Sequence, residues 1–223
     1  MSRARIAVLA SGGGSNLGAL ISWFAADGKS AGELVLVLSD RAAAGALEPA
    51  RNAGIAHAHI AVPSDGAAML ALLERHDVTH VVLAGYLKLV PVAVTARYRG
   101  AIVNVHPALL PAHGGPGMYG VRVHRAVLAA GDTASGATVH FVDAEYDRGA
   151  IIAAASVPVA RGDTPESLAA RVLVAEHFLL PRVVHALAAA QVRLAASGAA
   201  VVDATAAPLF ASPPPGVIVR LAH

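Results

Sequence analysis

Asn104 and His106 lie in the stretch IVNVHP (102–107), after a short run of apolar residues. An amide can stabilise a developing oxyanion, and an imidazole can transfer a proton near neutral pH. Because side chains two residues apart point the same way in an extended chain, both groups would face one site at the end of a strand. The pattern indicates acyl-transfer chemistry. The alternative is structural, with Asn104 in a turn and His106 as a hydrogen-bonded interior histidine.

A histidine base is usually oriented by a carboxylate. The stretch FVDAEYDRGA (141–150) offers Asp143, Glu145 and Asp147, of which Asp147 has the most loop-like surroundings. The same acids could instead form a solvated turn. The chain has no cysteine, so a thiolate nucleophile and cysteine-bound metals are excluded. No set of histidine, aspartate and glutamate residues has zincin spacing, so we expect no metal. These residues favour direct transfer through a tetrahedral intermediate over a covalent acyl-enzyme.

A glycine-rich loop, SGGGSN (11–16), separates a short apolar run from a segment with helical spacing. Backbone N–H groups at such a helix start bind anions, and Ser15 and Asn16 can add side-chain donors. The loop matches neither the dinucleotide pattern of glycines nor a Walker motif. We therefore expect a single phosphate or phosphosugar, because three consecutive glycines cost chain entropy without an evident packing gain. A tight turn without a ligand is the alternative.

Composition excludes several other classes of function. The chain has 223 residues, 56% of them apolar, and a net charge of +2. It carries no basic run of the kind that binds nucleic acid. The apolar run near the N-terminus is too short for a signal peptide, and no run is long enough to cross a membrane. We expect one cytoplasmic α/β domain.

Short apolar runs alternate with amphipathic segments in the first hundred residues. The runs predict buried strands at 5–10, 34–39, 56–60, 80–85 and 101–105. The amphipathic segments predict helices at 16–26, about 45–53 and 67–76, the last capped by Ser64 or Asp65. This order indicates a Rossmann-like, doubly wound α/β fold with a mostly parallel sheet.

The second half has a different pattern. Residues 137–142 and 149–159 predict an antiparallel strand pair around an acidic and glycine-containing loop. A long helix follows over 164–190, with Asp163 or Thr164 as the N-cap, and Pro181 should kink or split it. The tail from about residue 199 is less regular, and 211–216 is not helical.

Five segments together resemble the glycinamide ribonucleotide formyltransferases (phosphoribosylglycinamide formyltransferases), folate-dependent enzymes of purine synthesis. The segments are VLASGGGSNL (8–17), VVLAGYLKLV (81–90), IVNVHPALLP (102–111), SGATVHFVDAEYDRGAII (135–152) and RVLVAEHFLLP (171–181). The resemblance implies the formyltransferase fold. It also implies transfer of a formyl group from 10-formyltetrahydrofolate, as co-substrate, to the amine of glycinamide ribonucleotide in de novo purine biosynthesis. One domain, 1–223, would comprise a phosphate-binding half (1–100), a catalytic and folate-binding half (101–190) and a tail (191–223).

The resemblance implies a role for each matching residue. Asn104 would hold the formyl oxygen, His106 would transfer the proton, and Asp147 would raise the histidine pKa and help to place a water. The residues implied to bind the ribonucleotide are Gly14, Ser15, Asn16 and Glu176. The residues implied to bind folate are Leu87, Lys88, Leu89, Val90, Asn104, Asp143, Ala144, Glu145 and Tyr146.

Three features depart from the family's commonest pattern. AHGGPGMYG (112–120) replaces an aromatic-Pro-Gly step, and PSDGAAM (63–69) lacks an arginine that often contacts folate. Arg148 stands where the family usually has Gly or Thr. Its guanidinium could pair with Asp147 and lower the pKa of that carboxyl, or it could point to solvent.

Three rival functions remain open. Formyltetrahydrofolate deformylase uses a similar trio with water as the acceptor, but we expect no room before residue 5 for its regulatory domain. Methionyl-tRNA formyltransferase needs a tRNA-binding domain that residues 191–223 are too short to form. A non-catalytic sugar-phosphate-binding module would need residues 12–16 but not the trio. We expect small-molecule partners, neither nucleic acid nor membrane, and a monomer or homodimer.

Overall fold

A computed structural model describes residues 3–222. The strands of its main sheet are β1 (Ala4–Leu9), β2 (Gly32–Ser39), β3 (Ala56–His59), β4 (His80–Leu83), β5 (Ile102–His106), β6 (Ala134–Phe141), β7 (Ile151–Pro158) and β10 (Ile218–Leu221). A separate hairpin pairs β8 (Val192–Leu194) with β9 (Ala200–Val202). The helices are α1 (Ser15–Ala25), α2 (Leu47–Asn52), α3 (Gly66–Arg75), α4 (Val92–Arg97), α5 (Val121–Ala130), α6 (Pro165–Ala188) and the 3₁₀ helix η1 (Ala204–Phe210).

The main sheet has the strand order β10-β7-β6-β5-β4-β1-β2-β3. Strands β1 to β5 are mutually parallel, whereas β6, β7 and β10 each run antiparallel to the preceding neighbour. The predicted fold class, a mostly parallel doubly wound sheet with an antiparallel pair, is confirmed. The edge strand β10 was not predicted, because its four residues follow a proline-rich segment and only alternate between exposed and half-buried.

The strand order reverses beside β1, which lies between β2 and β4. At such a reversal the connections leave the sheet on opposite faces, and a crevice opens at the carboxyl ends of the strands. Two hydrogen bonds join the loops that leave β1 and β4: Ser11 N donates to Gly85 O at 3.0 Å, and Leu87 N donates to Ser11 Oγ at 2.9 Å. The glycine-rich loop and the segment 85–90 are therefore held side by side.

Alternate side chains of β1 belong to two different cores. Ile6 and Val8 pack with α1 and α6 on one face of the sheet, and Ala7 and Leu9 pack with α3 and α4 on the other. The strand is apolar on both faces because both faces are covered by helices. This explains why its sequence is a continuous apolar run rather than an alternating one.

Helix α6 is continuous from Pro165 to Ala188, so the prediction that Pro181 splits it is wrong. Proline removes one backbone hydrogen bond in a helix, but the residues around Pro181 are buried against β6 and β7, and this packing outweighs the loss. The start is strongly specified. Thr164 and Ser167 form a reciprocal capping box, which confirms Thr164 as the N-cap.

Helices α4 and α5 were not predicted. Both are short and rich in β-branched valine, which has a low helix propensity. Burial of Val94 in one core and of Val123 and Val127 beneath α5 stabilises them through tertiary contacts. The position of α5 matters for the site described below, because it ends the loop that follows His106.

Substitution Leu179→Ala should lower the free energy of unfolding by about 3 kcal/mol, since Leu179 is fully buried in the core between α6 and the sheet. The matched control on the same helix is Val174→Ala, whose side chain is 49% exposed and should change stability by less than about 0.5 kcal/mol. Urea unfolding followed by circular dichroism measures both. Equal losses in the two variants would contradict the packing described for α6.

Candidate active site

A cleft of about 460 Å³ opens at the carboxyl ends of β4 and β5. Its walls come from the segment after β4, the end of β5, the loop before α5, the loop between β6 and β7, and one face of α6. The residues that line it are Asn16, Leu83, 85–90, 104–107, 115–121, His124, His140, Val142, 145–147, Ala169, Ala170, Leu173 and Glu176. The predicted catalytic trio, Asn104, His106 and Asp147, thus lies in one cavity at the strand reversal.

Asn104 is oriented by a histidine on the neighbouring strand. His140 Nδ1 lies 2.7 Å from the carbonyl oxygen of Phe141, which can only accept, so Nδ1 carries the proton and the neutral Nε2 is an acceptor. The Asn104 atom 3.1 Å from Nε2 is therefore the amide nitrogen, which also lies 3.3 Å from Asp147 Oδ1. Because these two acceptors are only 3.5 Å apart, one N–H can serve both. The second N–H is then available to an oxygen in the cleft.

Both ring nitrogens of His106 have a polar neighbour. Its Nε2 lies 2.8 Å from the carbonyl oxygen of His113, so this nitrogen carries a proton. Its Nδ1 lies 3.5 Å from Asp147 Oδ2. Burial lowers the pKa of His106 below its usual value, and the charge of Asp147 opposes this effect only in part. The imidazole is therefore neutral at neutral pH, with Nδ1 free to accept a proton beside a carboxylate.

Asp147 is the one of the three candidate acids that pairs with His106 in the structure. Its backbone is left-handed, with φ 55°, and Gly115 N donates to its Oδ2 at 2.9 Å. Burial works to raise the pKa of this carboxyl, but hydrogen bonds to its oxygens, to which the Gly115 N–H and the Asn104 amide contribute, hold the pKa below its usual value. Asp147 therefore stays ionised in the cleft.

The other residues of this loop have different surroundings. A second cavity of about 460 Å³ reaches Asp147 and Arg148, and Ala144 lines this cavity but not the cleft. Asp143 lines neither of the two. Its Oδ1 accepts from Glu145 N at 2.9 Å, which shapes the turn. Arg148 is exposed. Within residues 3–222, the ion-pair contacts of Asp147 are with His106 and His140, not with Arg148. Of the two possibilities for Arg148, the structure shows the solvent-facing one.

A second polar pair lies in the same cleft. Asn16 Nδ2 donates to Glu176 Oε2 at 2.5 Å, joining the start of α1 to the middle of α6 across 160 positions of sequence. Burial raises the pKa of the Glu176 carboxyl, and the hydrogen bond from Asn16 opposes this only partly. The buried Asn16 Oδ1 has no hydrogen-bond partner among the described residues. This pair therefore offers a carboxyl group and an amide oxygen to a ligand.

The glycine-rich loop has a packing reason as well as room for an anion. Gly14 has φ 81°, and a Cβ on it would lie 2.6 Å from Ala46 Cα. The expectation that the glycines bring no packing gain is therefore wrong at Gly14. A Cβ on Gly12 or Gly13, in contrast, would meet nothing within 4 Å. Helix α1 begins here without a side-chain cap, so its first N–H groups are open to an anion.

Of the residues predicted to bind folate, Leu87 to Val90, Asn104, Glu145 and Tyr146 line the cleft. Sequence reasoning missed Tyr86, His124, His140 and the segment 115–121. Burial and the charge of Asp40 raise the pKa of Tyr86 to about 12, and its hydroxyl has no partner among the described residues. Tyr86 belongs to VVLAGYLKLV (81–90), one of the segments that resemble the family. Its place in that segment was the one signal in the sequence that could have indicated a role in the site.

One Gly-x-Ser-x-Gly spacing occurs in the chain, at residues 28–32, but it does not build a nucleophile site. It lies in the turn that enters β2, at the amino ends of the parallel strands, whereas the cleft lies at their carboxyl ends. Ser30 does not line the cleft. A nucleophile elbow of this type instead follows a strand and begins a helix.

Within residues 3–222, no three or more histidine, cysteine, aspartate or glutamate side chains are grouped so that they could hold a metal ion. No helix in the same range is long and apolar enough to cross a membrane.

The sequence profile of formyl transferases matches residues 4–184 of this chain, which include the trio and the Asn16–Glu176 pair. The chain belongs to the formyl transferase family. Among curated relatives of the family, phosphoribosylglycinamide formyltransferase, chloroplastic, from Arabidopsis thaliana is 45% identical over 192 residues. That alignment covers 83% of this chain, and the chain spans 65% of the length of that relative, which is less than two thirds.

Solved structures of formyl transferases superpose closely. Glycinamide ribonucleotide transformylase 1 from Symbiobacterium toebii has a TM-score of 0.82 at 37% identity, covering 90% of this chain and 94% of that one. A formyltetrahydrofolate deformylase from Pseudomonas syringae has a TM-score of 0.80 at 25% identity, covering 91% of this chain and 66% of that one. The fold is therefore shared by a protein named as a transformylase and a protein named as a deformylase.

Substitution Asp147→Asn should lower the pKa of His106 further, because the charge of Asp147 favours the protonated imidazole and burial then acts with less opposition. Proton NMR titration of the His106 ring, assigned by comparison with His106→Gln, measures the change. The matched control in the same loop is Asp143→Asn, whose amide oxygen can still accept from Glu145 N and which does not contact His106. A rise in the His106 pKa in Asp147→Asn would contradict the proposed pairing.

Proposed function

We propose that this chain transfers a formyl group from 10-formyltetrahydrofolate to the amine of glycinamide ribonucleotide, in de novo purine biosynthesis. The observation that carries the proposal is that one cleft contains both the Asn104–His106–Asp147 trio and the Asn16–Glu176 pair. The first group is suited to acyl transfer, and the second is suited to an amine-bearing substrate. The names of the Arabidopsis and Symbiobacterium relatives support the same reaction.

The residues of the cleft fit a folate. Leu87, Leu89, Val90 and Val142 form an apolar wall. The hydroxyl of Tyr86, which has no hydrogen-bond partner within residues 3–222, provides a polar group beside it. Pockets of this kind, mostly apolar with a few directed polar groups, bind flat aromatic ligands. We propose that this wall, together with Glu145 and Tyr146, holds the folate, which supplies the formyl group. The predicted folate contacts of Asp143 and Ala144 are not part of this proposal, because neither residue lines the cleft.

The trio has a distinct task at each atom. The available N–H of Asn104 would donate to the formyl oxygen as negative charge develops on it during attack by the amine. The free Nδ1 of His106 would take the proton that the attacking amine must lose, and would return it to the departing nitrogen. The Asp147 carboxylate, 3.5 Å from Nδ1, would stabilise the imidazolium between these two steps. No covalent enzyme intermediate is needed.

The ribonucleotide would be held at two places. Its phosphate would bind at the N-terminus of α1, where Gly14, Ser15 and Asn16 present backbone N–H groups and the glycines leave space. Its amine would donate to Glu176 and to Asn16 Oδ1, which lacks a partner among the described residues. Because the start of α1 and Glu176 on α6 would bind the same ribonucleotide, we also propose that residues 1–223 act as one domain. The expected cytoplasmic location and the monomeric or dimeric state stay predictions.

The second candidate is formyltetrahydrofolate deformylation, in which water replaces the amine. The likeness to the Pseudomonas syringae deformylase, which superposes with a TM-score of 0.80, favours it. The Asn16–Glu176 pair argues for the transferase, because a water needs neither a buried carboxyl nor an anion site at α1.

A formyl-transfer assay with glycinamide ribonucleotide and 10-formyltetrahydrofolate should show turnover that depends on the ribonucleotide. In His106→Ala, kcat should fall by roughly 10²- to 10⁴-fold, the usual contribution of a general acid–base group. The control variant is His59→Ala, an exposed histidine on β3. Release of tetrahydrofolate at the same rate without ribonucleotide would establish the deformylase instead. Ribonucleotide binding without any turnover would establish the binding module.

Substitution Glu176→Gln should raise KM for the ribonucleotide by roughly 10- to 100-fold and leave KM for folate unchanged, since a hydrogen bond to a charged group contributes about 1.5–3 kcal/mol. The matched control is Glu166→Gln in the first turn of the same helix, where the side chain is exposed. Initial rates at varied concentrations of each substrate measure both constants. An equal rise in the two KM values would rule out a specific contact between Glu176 and the ribonucleotide.

A further inference from the structure

The loop after His106 folds back onto the imidazole. His106 Nε2 donates to the carbonyl oxygen of His113 at 2.8 Å. Because a carbonyl only accepts, this contact selects the tautomer of His106 that has its proton on Nε2. The same contact leaves Nδ1 unprotonated and directed at Asp147, which is the form the proposed mechanism needs. The position of one backbone oxygen therefore determines the chemical state of the catalytic base.

His113 itself is fixed through its side chain. Its Nε2 lies 2.7 Å from Asp132 Oδ2, and its backbone is left-handed with φ 54°. This region is uncommon for residues other than glycine, so surrounding contacts must hold the residue there. Within residues 3–222, the segment 111–114 makes two hydrogen bonds, one from His106 to the carbonyl of His113 and one between the His113 imidazole and Asp132. The imidazole of His113 is thus the side-chain anchor of this stretch.

Asp132 is attached to a rigid element. It directly follows Gly131, a left-handed C-cap with φ 71° at the end of α5. Asp132 N donates to Val127 O at 3.3 Å and Gly131 N donates to Leu128 O at 3.1 Å, a pattern that closes a helix end. Val127 is buried in the core. The carboxylate of Asp132 therefore has a defined position relative to the sheet.

We propose that Asp132 and His113 form a positioning pair that keeps His106 in its Nε2–H tautomer and holds its unprotonated Nδ1 beside Asp147 in the cleft. The pair acts through the backbone carbonyl of His113 and does not line the cleft. The proposal rests on the proposed function for its kinetic consequence, but its structural consequence, the tautomer of His106, is independent of substrate. His113 occurs in the part of the chain, 112–120, that departs from the family's commonest pattern.

The test compares wild type with Asp132→Ala and Asp132→Asn as full chains. Nitrogen-15 NMR of His106, above its pKa and without substrate, should show a proton on Nε2 in wild type and a mixture of tautomers in Asp132→Ala. In the transfer assay, kcat should fall roughly 10- to 100-fold in Asp132→Ala with both KM values within about twofold, as expected from misplacement of a catalytic group. Asp132→Asn, whose amide oxygen can still accept from His113, should restore most of the wild-type tautomer and rate. The control Asp203→Ala, an exposed aspartate before η1 without a side-chain cap bond, should behave as wild type.

A second variant distinguishes positioning from general loss of structure. In His113→Gly the left-handed backbone is unstrained and the carbonyl remains, so the loop can fold, but the anchor is absent. Its effect should equal that of Asp132→Ala, and the double variant should add nothing, because both remove one interaction. An unchanged tautomer and an unchanged kcat in both variants would overturn the proposal. A shifted tautomer in a chain that transfers no formyl group would support the positioning pair and reject the proposed function.

Discussion

The ionised carboxylate of Asp147 is the interaction on which the site depends. A buried charge is unfavourable unless it is compensated, and here the compensation comes from N–H groups donated by the Asn104 amide and the Gly115 backbone. The imidazoles of His106 and His140 each lie 3.5 Å from the same carboxylate. Asp147 therefore lies beside the His106 imidazole, shares the Asn104 amide with His140, and holds the loop before α5 in place.

The sheet makes this convergence possible. Strands β5 and β6 are antiparallel neighbours in which Asn104 pairs with His140 and His106 pairs with Thr138. Thr138 in turn donates to Ala108 O at 2.6 Å and accepts from Leu110 N, so the chain leaving His106 is bound to the next strand. The parallel strands on the other side bring the α1 start and residues 85–90 to the same edge. Asn104, His106 and the side chains that contact them thus depend on one register of strands.

The cleft contains buried groups whose pKa values are shifted in opposite directions. His106 has a lowered pKa and Glu176 a raised one, both mainly because burial disfavours the charged form, whereas Asp147 keeps a lowered pKa through its contacts. Pairs of groups whose pKa values are displaced in opposite directions are typical of acid–base sites. Asn16 Oδ1 and the Tyr86 hydroxyl have no hydrogen-bond partner among the described residues. Both residues line the same cleft, and a ligand is the natural partner for each of these atoms.

The sequence by itself determined the fold class, the strands up to β7, the capped start of α6 and the placement of Asn104 and His106 at a strand end, since these depend on local periodicity and strand alternation. It also carried the family resemblance. The resemblance singled out Asp147 among three neighbouring acids, but only the tertiary structure shows its carboxylate beside His106, because that contact joins the end of β5 to the loop between β6 and β7. The same holds for α4, α5 and β10, whose weak local preferences are overridden by burial and pairing, and for Pro181, which packing retains within a helix. The roles of His140, His113 and Asp132 arise from atoms brought together by the fold, and no spacing along the chain encodes such a meeting.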